Sequence, residues 1–326
     1  MGYSAEVISR ARARLEQARA DRESENRIHL QIAYDKVPRL QQIDKQLRRT
    51  MAGAALAVFS QGGDVRERMA QARAENLALQ CERRELIAAH FEEGFLDETP
   101  ICTECGGMGY VGSTMCECLR ELCRQEQKKE LTFLGGGTEN FAQFRLDYYP
   151  DRVDPHVGVN IRTVMEKTYQ TCLRYAQNFS EQSGNLLFSG ATGLGKTFLS
   201  ACIARMVADN GFSVVYESAP HLFGKLERAK FNDDEQARQE SGKYTVCDLL
   251  IVDDLGTEMP GQFTTSALYT LINDRLRAGK PTIISTNLHT EELGKRYSEQ
   301  ILSRLRGGYH RVAFLGDDIR LKHRGY

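Results

Sequence analysis

Apolar residues follow two different rhythms along this chain, and the change of rhythm marks its main division. Up to about residue 95 they recur at helical intervals: Ile8, Ala11, Leu15 and Ala18 stand at 3-4-3 spacing, Leu40, Ile43 and Leu47 repeat it, and Met69, Ala72, Leu79 and Leu86 carry it on. Residues spaced in this way share one face of a helix, and the Ala, Arg, Glu, Gln and Leu around them favour that state. Pro38 kinks or restarts a helix, and FSQGGDVRER interrupts the pattern. A helical hairpin or small bundle is predicted, its apolar stripes packing on each other or on a partner.

From about residue 155 the rhythm becomes one of short continuous apolar runs, at 185–189, 213–217, 248–252, 281–286 and 311–315, separated by longer helical stretches. Runs of this kind are strands buried on both faces, so an α/β unit with a parallel five-stranded sheet is predicted.

The 326 residues, 41% hydrophobic and 27% charged, suffice for two globular domains. A net charge of -1 gives no global basic signature, so any nucleic-acid contact has to come from a local patch. No apolar run approaches the roughly 20 residues of a membrane span, and the start MGYSAEVISRARARLEQ is charged where a signal peptide is apolar. Glu6 breaks the N-myristoylation pattern. The expectation is a cytoplasmic protein with no membrane partner.

Nine cysteines in a chain of this kind fit a reducing compartment, and five of them fall in CTECGGMGYVGSTMCECLRELC, residues 102–123. The CxxC pair Cys102 and Cys105 directs two thiolates at one point, and Cys116 with Cys118 completes a tetrahedral set of four sulfurs, the donor set of a structural Zn²⁺ site. Cys123 or His90 is an alternative for one ligand. Cys81, Cys172, Cys202 and Cys247 stand alone and are expected to be small core residues.

The strongest motif is GATGLGKT. Gly190, Ala191, Thr192, Gly193, Leu194, Gly195, Lys196 and Thr197 match GxxxxGK[ST] in full between a predicted strand and a predicted helix. With Phe198 they form the predicted ATP-binding segment: backbone N–H groups surround the phosphates, Lys196 reaches the terminal ones, and the Thr197 hydroxyl ligates Mg²⁺. CDLLIVDDLG adds a strand ending in Asp253, expected on Mg²⁺, and Asp254, expected to activate water. PTIISTNL adds another, ending at Asn287, placed to meet the γ-phosphate.

With these motifs followed by SRLRGGYHRVAFLGDDIR, the chain resembles the AAA+ helicase loaders of bacteria and their phages, the DnaC/DnaI type, and the related IstB transposition ATPases. The likeness covers roughly residues 140–326. It implies an AAA+ P-loop NTPase in which Asn287 is the sensor-1 residue, Arg304 an arginine finger reaching a neighbour's γ-phosphate and Arg320 the sensor-2 arginine. Six residues follow Arg320, so no full C-terminal lid is expected. The N-terminal part looks like the zinc-containing helicase-binding domain of DnaI-type loaders. The expected layout is a helical partner-binding region at 1–98, a cysteine zinc module at 99–130, a linker and aromatic anchor at 131–154, and the ATPase at 155–326. The implied function is ATP-dependent loading of a DnaB-type replicative helicase onto single-stranded DNA by a homo-oligomer that forms when ATP is bound. An IstB-like ATPase regulating transposition is the alternative. Lys225, Arg228 and Lys230 on APHLFGKLERAKF are the candidate phosphate contacts, and Phe223 either stacks on a base or packs.

Overall fold

The computed structural model describes residues 3–59, 65–133, 139–231 and 235–321. The interruption expected at FSQGGDVRER and the linker expected at 131–154 fall partly outside these residues, as does the side chain of Met69. The chain divides into two units, Arg14–Cys116 on one hand and Met1–Ala13 with Glu117–Tyr326 on the other. Among the described residues no helix is long and apolar enough to cross a membrane.

The N-terminal region is helical, as its periodicity predicts: α1 (Ala5–Lys36), α2 (Pro38–Phe59) and α3 (Val65–His90) follow one another. Pro38 restarts the helix rather than kinking it. It takes the first position of α2, where its missing N–H leaves no hydrogen bond unmade. Ala33, Val37 and Leu40 are buried and pack with Leu86 and Ile87. Two ion pairs cross-link α2 to α3, Arg39 to Glu82 at 2.7 Å and Arg83 to Asp44 at 2.9 Å. Cys81 departs from expectation: it is exposed on α3. After α3 comes a two-stranded antiparallel hairpin, β1 (Tyr110–Val111) with β2 (Thr114–Met115), and then α4 (Glu117–Phe133).

The second unit is built on a five-stranded sheet. Helix α5 (Ile161–Gln177) precedes β3 (Asn185–Ser189), α6 (Lys196–Asp209), β4 (Val214–Ser218), α7 (Ala219–Phe231), α8 (Glu235–Val246), β5 (Leu249–Leu255), α9 (Gln262–Arg277), β6 (Thr282–Thr286), α10 (Thr290–Arg296), α11 (Glu299–Gly308) and β7 (Tyr309–Ala313). The strand order is β4-β5-β6-β3-β7 and every pairing is parallel. One face is covered by α5 and α6 through Met165, Cys172, Leu199, Ile203 and Val207. The other is covered by α7, α9 and α11 through Leu222, Leu268, Leu271, Ile301 and Leu305. Burial on both faces explains why four strands read as unbroken apolar runs. β7 was predicted two residues too late because it is an edge strand: its exposed His310 and Arg311 interrupt the apolar pattern, yet both pair with β3.

Residues outside the sheet complete this unit. The Gln127 amide on α4 donates to the Phe212 carbonyl at 2.9 Å and accepts from the Val214 N–H at 3.0 Å, fixing the start of edge strand β4. The Tyr3 hydroxyl donates to the Gly211 carbonyl at 3.1 Å. Phe141 and Tyr149, from the stretch expected as an aromatic anchor, are buried with α5 and α6.

Candidate nucleotide site and cysteine knuckle

The loop between β3 and α6 lies at the carboxyl edge of the sheet, beside the tips of β5 and β6, where open α/β sheets hold their ligands. Its glycines are needed for conformation and for space. Gly193 has φ +73°, and a Cβ there would stand 1.9 Å from Asp318 Oδ1; Gly195 has φ +86° and caps α6 in the left-handed region. The loop is held from two sides, by the Tyr149 hydroxyl donating to the Leu194 carbonyl at 3.0 Å and by the Ile319 N–H donating to the Gly193 carbonyl at 3.0 Å.

Lys196 opens α6 with 4% of its surface exposed. Its Nζ donates to the carbonyls of Gly190 (2.8 Å) and Ala191 (2.7 Å) and to Asn287 Oδ1 (2.5 Å). Burial holds this ammonium below the usual lysine range, against the pull of Asp254 and Asp253.

Consecutive strand residues point to opposite faces, so two neighbouring aspartates cannot both face one site from a regular strand. β5 meets this limit with a break in register between Val252 and Leu255, and Asp254 sits there at φ 55°, the one described non-glycine residue with positive φ. Asp253 is 5% exposed and accepts from the Tyr216 hydroxyl at 2.7 Å and from the Ser285 hydroxyl. The Asp254 N–H donates to Ser285 Oγ at 2.9 Å. Burial pushes the Asp254 carboxyl above the usual range and the charge of Asp253 adds to this, while Lys196 and Arg320 oppose it.

A cavity of about 740 Å³ runs from this point along α6. Of the predicted site residues, Thr192, Gly193, Leu194, Gly195, Lys196, Thr197, Phe198, Asp254, Asn287 and Arg320 all line it. Gly190, Ala191 and Asp253 do not line it: Gly190 and Ala191 give backbone carbonyls to Lys196, and Asp253 accepts from Tyr216 and Ser285. Arg304 is elsewhere. From α11 it stacks on Tyr269, 4.3 Å from the ring centroid, and donates to the Tyr269 hydroxyl at 2.7 Å and to Asn273 Oδ1 at 3.2 Å.

Tyr149, Tyr216, Phe144 and Arg205 also line the cavity and were not predicted. Tyr149 belongs to the aromatic anchor, so part of its signal was present; Tyr216 lies inside an apolar strand run, where nothing in the pattern distinguishes a site residue from a core one.

On α7, the candidate nucleic-acid helix, Phe223 takes the packing alternative. Phe223 is 4% exposed and packs in the core, and Lys225 is tied to Glu217 at 2.6 Å. The exposed ring is Phe231, at 65%, which lies 5.6 Å from Phe263 of α9 with Lys230 Nζ within 5.6 Å of both ring centroids.

In the cysteine stretch, the sulfurs of Cys102, Cys105, Cys116 and Cys118 all lie within 4.8 Å of one another. The Gly109 N–H donates to Cys105 Sγ at 3.2 Å and Gly107 turns the chain at φ +87°. Four thiolates converging in a glycine-rich turn suit a tetrahedral Zn²⁺. Neither predicted substitute joins them. Cys123 is buried on α4, which pushes its thiol up to about 11, and His90 ends α3.

Residues 165–326 match the family model described as IstB-like ATP binding protein. The chain is 24% identical over 135 residues to the replicative helicase loader DnaC of Escherichia coli (strain K12), a match covering 41% of this chain and 55% of that protein. It is 31% identical over 145 residues to an insertion-sequence ATP-binding protein of Sinorhizobium fredii, covering 43% of this chain and 58% of the relative. The chain thus spans just over half the length of the curated relatives it matches. Among solved structures, the crystal structure of the DnaC helicase loader superposes with a TM-score of 0.44 at 19% identity, covering 54% of this chain and 98% of that one. Residues 165–326 thus carry an IstB-like ATP-binding domain with a complete P-loop.

Proposed function

We propose that this protein is an ATP-dependent loader of a DnaB-type replicative helicase onto single-stranded DNA, acting in the cytoplasm. The observation that carries the reading is the cavity itself, in which the P-loop lysine, an acidic strand tip and Asn287 converge in a domain whose relatives include proteins named as replicative helicase loaders.

In this reading ATP lies along α6 with its phosphates in the glycine loop. Lys196 exchanges its backbone carbonyls for the terminal phosphates, where a buried cation interacts strongly. The Thr197 hydroxyl and Asp254 carboxylate on the cavity wall, with the buried Asp253 carboxylate next in sequence, are an oxygen donor set that fits Mg²⁺, and Thr197 and Asp253 would be its holders. When bound, Mg²⁺ neutralises charge that develops on the phosphates. Asp254, with its raised carboxyl and cavity-facing position, orients and deprotonates the attacking water. Asn287 contacts both Lys196 and the water or γ-phosphate, and Arg320 approaches the phosphates from the turn that packs on Gly193. Arg304 serves the site of a neighbouring copy, which makes turnover depend on assembly.

Single-stranded DNA is taken by Phe231 and Phe263, two rings available for base stacking, with Lys230 and Arg228 for phosphates. The helical region at 1–98 binds the helicase, and the zinc module at 99–130 holds its fold through Cys102, Cys105, Cys116 and Cys118.

Regulation of transposition is the second reading, favoured by the 31% identity to an insertion-sequence ATP-binding protein. Co-sedimentation of the full chain with the host's replicative helicase, ATP and single-stranded DNA decides between them. Helicase-dependent capture of single strands supports the loader. Assembly on duplex DNA with no helicase association overturns it in favour of the alternative.

A further inference from the structure

Asp253 is held from both neighbouring strands. Tyr216 on β4 donates its hydroxyl to Oδ2 at 2.7 Å, and Ser285 on β6 donates to Oδ1. Tyr216 is buried, and it forms part of the cavity wall. It lies in register with Ile251, so its ring reaches along the sheet toward its carboxyl edge to meet Asp253. Packing alone asks only for an aromatic ring at this position; the hydroxyl is an addition with one partner.

We propose that Tyr216 is a positioning residue for the magnesium of bound Mg-ATP, orienting the Asp253 carboxylate together with Ser285. The proposal rests on the ATP-site reading above.

The argument is one of lone pairs and rotamers. A carboxylate has about four acceptor sites, two on each oxygen. One hydroxyl on each oxygen leaves a second acceptor site on each, the site that a metal-bound water would use. The two donors also fix the side-chain torsion, so no rotamer freedom is lost when the ion arrives. Ser285 extends the arrangement by accepting the Asp254 N–H, so one hydroxyl ties the Asp253 carboxylate to the backbone of Asp254. Partners of this kind, one bond removed from the metal, typically change metal affinity by about 10–100-fold when removed.

The test is Mg²⁺ titration of a fluorescent ATP analogue bound to the full chain, comparing wild type, Tyr216→Phe and Ser285→Ala, with thermal unfolding measured alongside. Binding in excess EDTA should be alike for wild type and Tyr216→Phe, while the Mg²⁺ midpoint of the variant rises about tenfold. Ser285→Ala should move the midpoint in the same direction, which keeps the question answerable if the first variant does not fold. A Tyr216→Phe midpoint within twofold of wild type overturns the proposal, including the case in which only Tm falls, since the hydroxyl is then structural. Failure of the wild-type chain to bind the analogue at all overturns the reading of the cavity and the proposal with it.

Discussion

Lys196 Nζ lies 2.5 Å from Asn287 Oδ1, so the first residue of α6 and the tip of β6 are joined by a charge-assisted hydrogen bond across the cavity. The two residues separate in function once ATP is considered. Lys196 binds phosphate in the ground state, whereas an amide on the attacking water matters mainly in the transition state. Lys196→Ala should therefore abolish binding of a fluorescent ATP analogue. Asn287→Ala should leave that affinity within a few-fold and lower kcat by about 10²–10³-fold, the usual loss for one transition-state donor. Equal loss of binding in both variants would show that Asn287 acts only by holding the lysine.

Asp254 stores instability at the site. Its folded-state carboxyl titrates above the ordinary range, through burial first and Asp253 second, so the folded protein binds its proton more tightly than the unfolded chain does. Stability then falls as pH rises from the ordinary Asp value through the folded one. Asp254→Asn removes the charge, and Asn tolerates the positive φ found there. Thermal unfolding at pH 7 should show a higher Tm for the variant, by about 2–4 °C for each kcal/mol relieved, with the advantage fading below about pH 4. Hydrolysis should be lost in the same variant. An unchanged or lower Tm at pH 7 would refute the stored penalty.

The parts of this site that were legible in the sequence are those fixed by backbone. A glycine loop with left-handed residues at Gly193 and Gly195 leaves a spacing motif, because few other sequences adopt that path. A strand buried on both faces leaves an apolar run, so the tips bearing Asp253 and Asn287 could be found by counting. What stayed hidden depends on the third dimension. Whether Phe223 or Phe231 is the outward ring of α7 is decided by how the helix is rotated against β5 and α9, which the composition of that helix does not fix. The pairing of Lys225 with Glu217 joins a helix to the strand before it, and Tyr216 shares its apolar surroundings with residues that only fill space.

The cysteine knuckle should carry one zinc per chain. With the four sulfurs within 4.8 Å of one another, Co²⁺ added to metal-free protein should give the intense absorption of tetrahedral thiolate coordination. Cys116→Ser should weaken that spectrum and lower the zinc content, while Cys123→Ser leaves both unchanged, because Cys123 stands outside the cluster. Less than about half a zinc per chain in reducing buffer would remove the assignment.

Phe231→Ala and Phe263→Ala should each weaken single-stranded DNA binding by about 1–3 kcal/mol, the range for loss of one stacking partner, without altering its salt dependence. Lys230→Ala should do the reverse, reducing the slope of log K against log salt by about 0.7 with a modest loss of affinity. Phe223→Ala makes the contrast informative. That ring is core, so its removal should lower Tm, and a DNA defect at unchanged Tm would return the contact to the buried face of α7.

Arg304 offers the most direct test of assembly, because it is absent from the cavity of its own chain and is parked on Tyr269 and Asn273. If it completes the site of a neighbour, Arg304→Ala should bind ATP as wild type does yet lose hydrolysis by about 10³-fold or more, as when an arginine finger is removed. Lys196→Ala should be inactive for a different reason, having an intact Arg304 but no bound nucleotide. Mixing the two inactive proteins then pairs a nucleotide-loaded Arg304→Ala site with the arginine of a Lys196→Ala neighbour. Turnover should reappear on mixing and rise with total protein concentration. If the mixture stays inactive while each variant still associates with wild type, Arg304 does not act across an interface, and its contact with Tyr269 is then its whole role.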